Sequence, residues 1–291
     1  MTIKKDTEKK QIGIVYHPLN GHAHTLAGQL YEHLVQSDKY DGWICSAWEG
    51  SELKEKTKTA HNIITTGGDG TILRVVQALD GKTVPITGIN FGRVGFMTEL
   101  TPNETAILPQ LFDGAAGWVD ERAMLRCELI PVSEPQNISV FYALNDVVIA
   151  RGRIARIIRL KTSINDDFYT TYRADGVVVS TASGTTAYNV AAGGPVLEPS
   201  SRHFVITPIS SHMSPNYSLI LQPEKHAEFV IDTHHDAVLC VDGHINVMLN
   251  TGDRIRVTTD ERRVMNFLRY HRKGAFYSTL EQKLKGNEFF K

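Results

Sequence analysis

The segment Thr65-Thr66-Gly67-Gly68-Asp69-Gly70-Thr71 carries the residue types that phosphate chemistry needs. Three glycines free the backbone for positive φ and for close approach to a ligand. The helix expected after them would offer unpaired N–H groups and a partial positive charge to an anion at Gly68 and Gly70. Neither familiar phosphate loop is present: there is no G-x-x-x-x-G-K-[ST], and Leu73 stands where a dinucleotide fingerprint would place its third glycine. A carboxylate inside such a turn would repel bound phosphate. Asp69 makes sense there if it accepts a proton from a hydroxyl attacking that phosphate, or helps to hold Mg²⁺. Asp69 at a helix start is equally an ordinary cap of that helix.

A second set of polar residues suits a nucleotide. Asn145 offers an amide donor and acceptor for an adenine edge, and Asp146 can accept two ribose hydroxyls. Both interrupt an apolar run in which unpartnered polar groups are costly. As neighbours on one strand they would point to opposite faces, which leaves open that one of the two is simply solvated. Arg173 and Asp175 would share one face of a strand, as a cross-strand ion pair does. Ser183-Gly184-Thr185-Thr186-Ala187-Tyr188 sets small hydroxyls at a helix start and an aromatic plane one turn inside it; an N-cap followed by a core tyrosine has the same spelling. Arg74 lies one turn into the helix after Gly70, Arg93 sits in a Gly-bounded loop, and Arg156 lies among Arg151, Arg153 and Arg159; such clusters are as often solvated faces as anion sites. The histidines His17, His22, His24 and the run His234-His235-Asp236 lack a third ligand at metal-site spacing, so no protein-held metal is expected.

The elements that must position these residues fall into two grammars. Strands at Gln11–His17, Trp43–Trp48, Ile63–Thr66 and Val84–Ile89 alternate with helical periods at Ala23, Leu26, Leu30, Leu34 and at Ile72, Val75, Val76, Leu79. That pattern predicts an α/β domain with a Rossmann-like parallel sheet over residues 1–118. Over 119–262 the chain reads as mostly antiparallel β, a β-sandwich. Strands are predicted at Ala123–Val132, Ile138–Ile149, Ala155–Ile164, Phe168–Ser180, Phe204–Ile209, Ala227–Asp232, Val238–Val241 and Arg254–Thr258, with a hairpin turn at Asn165-Asp166-Asp167. The tail from 263 to 291 is expected to pack back on the first domain.

Composition narrows the class without choosing a function. The 291 residues carry 31 basic and 32 acidic side chains, so there is no global basic surplus for nucleic acid. No apolar run approaches the ~18 residues of a membrane span. Three scattered cysteines, Cys45, Cys127 and Cys240, form neither a disulfide framework nor a zinc motif and fit a reducing cytoplasm.

Gly67-Gly68-Asp69-Gly70-Thr71 together with Gly88-Ile89-Asn90-Phe91-Gly92-Arg93-Val94-Gly95-Phe96 resembles the N-terminal signature of NAD kinases. Asn145-Asp146-Val147-Val148, Arg173-Ala174-Asp175-Gly176, Ser180 to Tyr188 and Ala192-Gly193-Gly194-Pro195 resemble the later motifs of that family in order and spacing. Two departures are visible: the family's usual Asn-Glu is Asn145-Asp146, and the proline of its Thr-Pro-Thr-Gly-Ser-Thr is Ala182. The resemblance implies transfer of a phosphoryl group from ATP or another donor, with Mg²⁺, to the 2′-hydroxyl of the adenosine ribose of NAD, giving NADP. It implies that Asp69 is catalytic and that Gly68, Gly70, Arg74, Phe96 and Arg156 belong to the binding machinery. Asn145, Asp146, Arg173, Asp175, Ser183, Thr186, Ala187, Tyr188, Ala191 and His244 are implied dinucleotide contacts. It further implies a homodimer or homotetramer whose sites are completed by a neighbouring subunit. Two other functions share parts of this pattern: a lipid or sugar kinase with the same Gly-Gly-Asp-Gly turn, and a non-catalytic dinucleotide sensor.

Overall fold

The computed structural model describes residues 9–92, 95–153, 156–271 and 276–285, with nothing said of the side chains of 284 and 285. Arg93 of the Gly-bounded loop lies outside the described residues. The chain divides into two compact units, one formed by Met1–Asp120 with Asn266–Lys291 and the other by Glu121–Met265.

The first unit begins β1 (Lys10–Tyr16), α1 (Gly21–Val35), β2 (Tyr40–Ser46), α2 (Gly50–Lys56), β3 (Asn62–Thr66), α3 (Asp69–Leu79), β4 (Ile86–Ile89) and, after a 3₁₀ turn, α4 (Leu108–Phe112). Strands β1 to β4 are parallel in the order β2-β1-β3-β4. This is the arrangement that strand–helix alternation imposes, because a helix between two strands returns the chain to the same end of the sheet. The strands are apolar runs buried on both faces: Ile12, Ile14, Ile63, Ile64, Ile86 and Ile89 are all at most 1% exposed. Helix α1 buries Ala23, Ala27, Leu30 and Leu34, and Asn20 caps it by accepting from the N–H groups of His22 and Ala23. Helix α3 buries Ile72, Val75, Val76 and Leu79, the stripe expected from their spacing.

The second unit contains β5 (Trp118–Ile130, entering from the first), β6 (Ser139–Ala143), β7 (Asp146–Arg151), β8 (Ile158–Ile164), β9 (Asp167–Ala174) and β10 (Gly176–Thr181). A 3₁₀ turn (Ser183–Thr186) and α5 (Tyr188–Ala191) follow, then β11 (Phe204–Ile209), β12 (Leu219–Leu221), β13 (His226–Ile231), β14 (Ala237–Val241), β15 (Ile245–Leu249) and β16 (Arg254–Arg269). Six strands form an antiparallel sheet in the order β12-β11-β10-β7-β14-β15. Strands β16, β13, β8 and β9 form a second antiparallel set, and β5 pairs with β6. One core joins them, with Val147, Val177, Phe204 and Leu239 from the first sheet meeting Leu160, Tyr172, Phe229 and Val257 from the second. The β-sandwich follows from this shared core. The last residues of β16 run beside β4 in the first unit, where Phe267 pairs with Ile86, and α6 (Phe276–Lys285) completes that unit.

The structure differs from expectation at two apparent strands. Ile138–Ile149 is two strands, broken at Leu144 and Asn145, and Phe168–Ser180 is two strands that part at Asp175 and enter different sheets. Strands β12 and β15 were not anticipated, and the strand expected at Arg254–Thr258 continues to Arg269. The β8–β9 hairpin turns at Asn165 and Asp166, both at positive φ, as a two-residue loop that matches strand twist requires.

Candidate functional site

In the first unit β3 ends at Thr66 and α3 starts at Asp69, so the glycines form the turn between a buried strand and a helix N-terminus. The expected positive φ is not how these glycines are used. None of Gly67, Gly68 and Gly70 is among the residues at positive φ, and Gly68 has an extended backbone. Space is the reason for them. A Cβ at Gly67 would lie 2.3 Å from Thr71 Oγ1, whereas at Gly68 and Gly70 it would meet nothing within 4 Å. The open side of the turn is where a ligand can approach the backbone closely.

Asp69 is the first residue of α3 and not its cap, a position that Gly68 takes without a side chain. Its carboxylate is held by three backbone N–H groups of a neighbouring loop: Phe96 donates to Oδ2 at 2.9 Å, and Met97 and Thr98 donate to Oδ1 at 3.1 and 3.2 Å. Gly95 permits this contact, because a Cβ there would lie 2.0 Å from Oδ1. The same loop is held from behind by Arg269, whose side chain is 6% exposed. It donates to the carbonyls of Phe96 (3.3 Å) and Met97 (2.8 Å) and pairs with Asp120 (3.0 Å) and Glu99 (3.3 Å). Arg269 thus fixes the carbonyl side of the peptides whose N–H side fixes Asp69. Arg74 lies along α3 with its guanidinium 5.6 Å from the Trp48 ring, a cation–π contact.

In the second unit the break before β7 is built by a turn far away in sequence. Asp242 and Gly243, both at positive φ, open the three-residue turn Asp242-Gly243-His244 between β14 and β15. The Asp242 carboxylate accepts from the N–H groups of Leu144 (2.8 Å), Asn145 (2.8 Å) and Asp146 (3.0 Å). Asn145 and Asp146 are both buried, which removes the reading in which one of them is solvated. Asn145 Oδ1 is buried with no hydrogen-bond partner among the described residues. Burial and the adjacent Asp242 charge push the Asp146 carboxyl up to about 7. Gly184 lies directly on this segment, since a Cβ there would sit 2.0 Å from the Asn145 carbonyl oxygen.

The segment after β10 is not a single capped helix. Ala187 breaks it into the 3₁₀ turn and α5, and Ser183 accepts from Arg122 (3.1 Å) rather than from the backbone of its own helix. The buried Asn189 ties the segment down by donating to Thr185 and Pro195 and accepting from Thr207. Tyr188 is not a core residue: it is 44% exposed, and Ala187 and Ala191 beside it are exposed too, with Thr186 half-buried. Arg173 and Asp175 do not share a strand, because β9 ends at Ala174. Asp175 lies in the break between β9 and β10 and pairs with Arg151 at 3.1 Å, while Arg173 is exposed. Of the four clustered arginines, Arg153 pairs with Asp236 and Arg159 with Asp232, leaving Arg156 exposed and without an acidic partner among the described residues. His244 closes the turn that Asp242 and Gly243 open, half-buried, its N–H bonded to Val241.

Sequence reasoning missed Gly95, Asp242, Asn189 and Arg269 as organising residues. Asp-Gly between two apolar runs was a readable hairpin signal for Asp242. Nothing local marks Arg269.

Comparison with known proteins agrees with the motif order. The ATP-NAD kinase N-terminal domain pattern matches residues 21–115, and the ATP-NAD kinase C-terminal domain pattern matches residues 144–269. The NAD kinase of Dehalococcoides mccartyi (strain CBDB1) is 42% identical over 278 residues, covering 96% of this chain and 97% of that protein. The NAD kinase of Chloroflexus aurantiacus (strain ATCC 29366 / DSM 635 / J-10-fl) is 32% identical over 279 residues, 95% and 99% of the two chains. Among solved structures, the yeast NADH kinase complexed with NADH shares the fold, with a TM-score of 0.86 at 22% identity over 96% of this chain and 89% of that one. The NAD kinase from Archaeoglobus fulgidus in complex with ATP superposes with a TM-score of 0.73 at 25% identity, covering 94% and 98%. The chain belongs to the NAD kinase family.

Proposed function

We propose that this phosphotransferase makes NADP by in-line transfer, with Asp69 accepting the proton of the adenosine 2′-hydroxyl of NAD. The new bond joins that ribose oxygen to the terminal phosphorus of ATP or another donor such as polyphosphate. The bond from that phosphorus to the leaving oxyanion breaks, and the proton goes to Asp69 Oδ2. The observation that carries this reading is the three-N–H cradle at Asp69. It fixes a carboxylate at the mouth of an anion-binding helix N-terminus and leaves Oδ2 with a single backbone donor. Catalysis of this kind is mainly positioning and charge neutralisation. The N–H groups of Gly68 and Gly70 are assigned to donor phosphate.

Mg²⁺ would be brought by the phosphoryl donor. The described residues hold one cluster of three ligand-type side chains, Cys45, Glu49 and Glu52, where burial pushes the thiol up to about 11. That set does not suit a hard cation. A lone carboxylate such as Asp69 would suit it, because Mg²⁺ characteristically takes one or two carboxylates with phosphate oxygens and waters, and the ion would supply charge neutralisation at the donor.

In the second unit, the unpartnered acceptor of Asn145 supports adenine recognition and Asp146 supports recognition of ribose hydroxyls. Exposed Tyr188, with Ser183, Thr186, Ala187 and Ala191 along the same segment, is assigned to stacking and lining. Asp175 and His244 are assigned to the dinucleotide, Arg173 to its polar surroundings and Arg156 to anion contact. A cytoplasmic homodimer or homotetramer with sites completed by a neighbouring subunit is the proposed working form; light scattering of active enzyme at assay concentration tests it, and an active monomer refutes it. No helix among the described residues is long and apolar enough to cross a membrane.

The defining experiment incubates the protein with ATP or polyphosphate, Mg²⁺ and NAD and measures NADP with an NADP-specific dehydrogenase. Asp69→Asn is expected to lower kcat by roughly 10² or more, the scale of a general base, with the KM for NAD within a few-fold. Near-normal kcat in the purified variant removes Asp69 from the role.

A further inference from the structure

Helix α6 reaches the Asp69 cradle. Phe276 and Lys283 are seven residues apart, two helical turns, and so lie on one face. That face meets Phe96, the residue whose N–H holds Asp69 Oδ2. The Phe276 and Phe96 rings are 6.0 Å apart, and Lys283 Nζ lies 4.5 Å from the Phe96 ring centroid. The same ammonium is 4.0 Å from Asp69 Oδ2, with about a third of the lysine side chain exposed. An ion pair so open to solvent adds little to stability, so structure alone does not account for a lysine anchored on an aromatic ring beside this carboxylate.

We infer that Lys283 is a binding residue for the phosphoryl donor, supplied by the C-terminal helix. The inference rests on the reading of Asp69 as the catalytic carboxylate. A donor seated at Gly68 and Gly70 brings several negative charges next to one fixed aspartate, and that assembly needs a mobile cation at its edge. Lysine is suited to this, as a point charge with three donors on a flexible stem that can turn from carboxylate to phosphate oxygen. The cation–π contact with Phe96 holds the ammonium beside the turn until a donor draws it away.

The test compares the full-length enzyme with Lys283→Ala, Lys283→Arg and Lys283→Glu, varying Mg-ATP and NAD independently. Lys283→Ala is expected to raise the KM for Mg-ATP about tenfold and leave the KM for NAD within twofold. Lys283→Arg should retain most donor affinity, and Lys283→Glu should lose more than the alanine variant. Calorimetric titration of Mg-ATP into enzyme without NAD should report the same ranking, and circular dichroism checks that each variant is folded. An unchanged donor KM in a folded Lys283→Ala overturns the assignment. A lowered donor KM or raised kcat overturns it too, and would mark α6 as a latch displaced by substrate. Failure of the Asp69 reading is separate: Asp69→Asn would keep its kcat whatever Lys283 does to donor binding.

Discussion

Asp69 of the first unit keeps about a quarter of its side chain exposed and meets three backbone N–H groups, whereas burial, helped by the adjacent Asp242 charge, pushes Asp146 of the second up to about 7. One carboxylate, at a helix start, is oriented by the N–H groups of a neighbouring loop and stays open to solvent. The other is enclosed, and it ionises only near neutrality because desolvation and like charge oppose it. Side-chain identity therefore does not set the task. The first surroundings favour a group that must be aimed, and the second a group whose charge is withheld until a ligand with hydroxyl donors fills the space.

The comparison breaks most visibly if aiming does not matter at Asp69. Gly95→Ala puts a methyl 2.0 Å from Oδ1 and should lower kcat about 10²-fold with little change in the KM for NAD, the usual consequence of an ångström-scale displacement. Steady-state kinetics with both substrates varied would expose a purely structural effect, in which kcat is preserved in the folded fraction.

Arg269→Ala comes next. It leaves Asp120 and Glu99 without their buried guanidinium partner and should cost about 3–5 kcal/mol in urea unfolding. Arg269→Lys should recover part of kcat as well as part of the stability, because an ammonium can still reach a carbonyl of the loop. A folded Arg269→Ala that keeps its kcat would mean that this loop contact does not aim Asp69.

Asp242→Asn should cost about 1–3 kcal/mol in the same measurement, since an amide cannot accept from all three N–H groups of Leu144, Asn145 and Asp146. Its KM for NAD should rise while the KM for Mg-ATP holds. Equal changes in the two constants would contradict separate tasks for the two aspartates.

The smallest effect is a pH dependence. Ribose hydroxyls donate best to an ionised carboxylate, so the KM for NAD should fall several-fold as pH rises through about 7, and Asp146→Asn should flatten the profile. Stability runs the other way. The folded chain holds this proton more tightly than the unfolded chain, so the contribution of Asp146 is full below about pH 4 and is lost as pH rises to about 7. The Asn variant should therefore lose less stability than wild type across that window. A KM profile that stays sloped in Asp146→Asn assigns the titration to another group.

What the sequence made legible was what neighbours in the chain decide. The strand–turn–helix around Asp69, the buried stripe of α3 and the positive-φ turn at Asn165 and Asp166 depend on residues a few positions apart. The strand breaks at Asn145 and Asp175 were missed, because strand-like residues resume directly after each polar interruption. The first is held open by Asp242, 96 to 98 residues away, and the second lies between strands of different sheets. Arg269 was invisible for the same reason, being 173 positions from Phe96. The Gly-Gly-Asp-Gly turn was located correctly for a reason that was half wrong: these glycines leave room and do not supply unusual dihedrals.

The Asp242-Gly243 turn has a kinetic consequence. Since it holds the backbone of Leu144 to Asp146 across nearly a hundred residues, Asn145 and Asp146 can be in place only after β14 and β15 have joined their sheet, a contact of high sequence separation. Amide hydrogen exchange at Leu144, Asn145 and Asp146 would then report the opening of that hairpin. Recognition competence in this chain is an outcome of completed topology, and a nascent chain that ends before Asp242 carries Asn145 and Asp146 without the turn that arranges them.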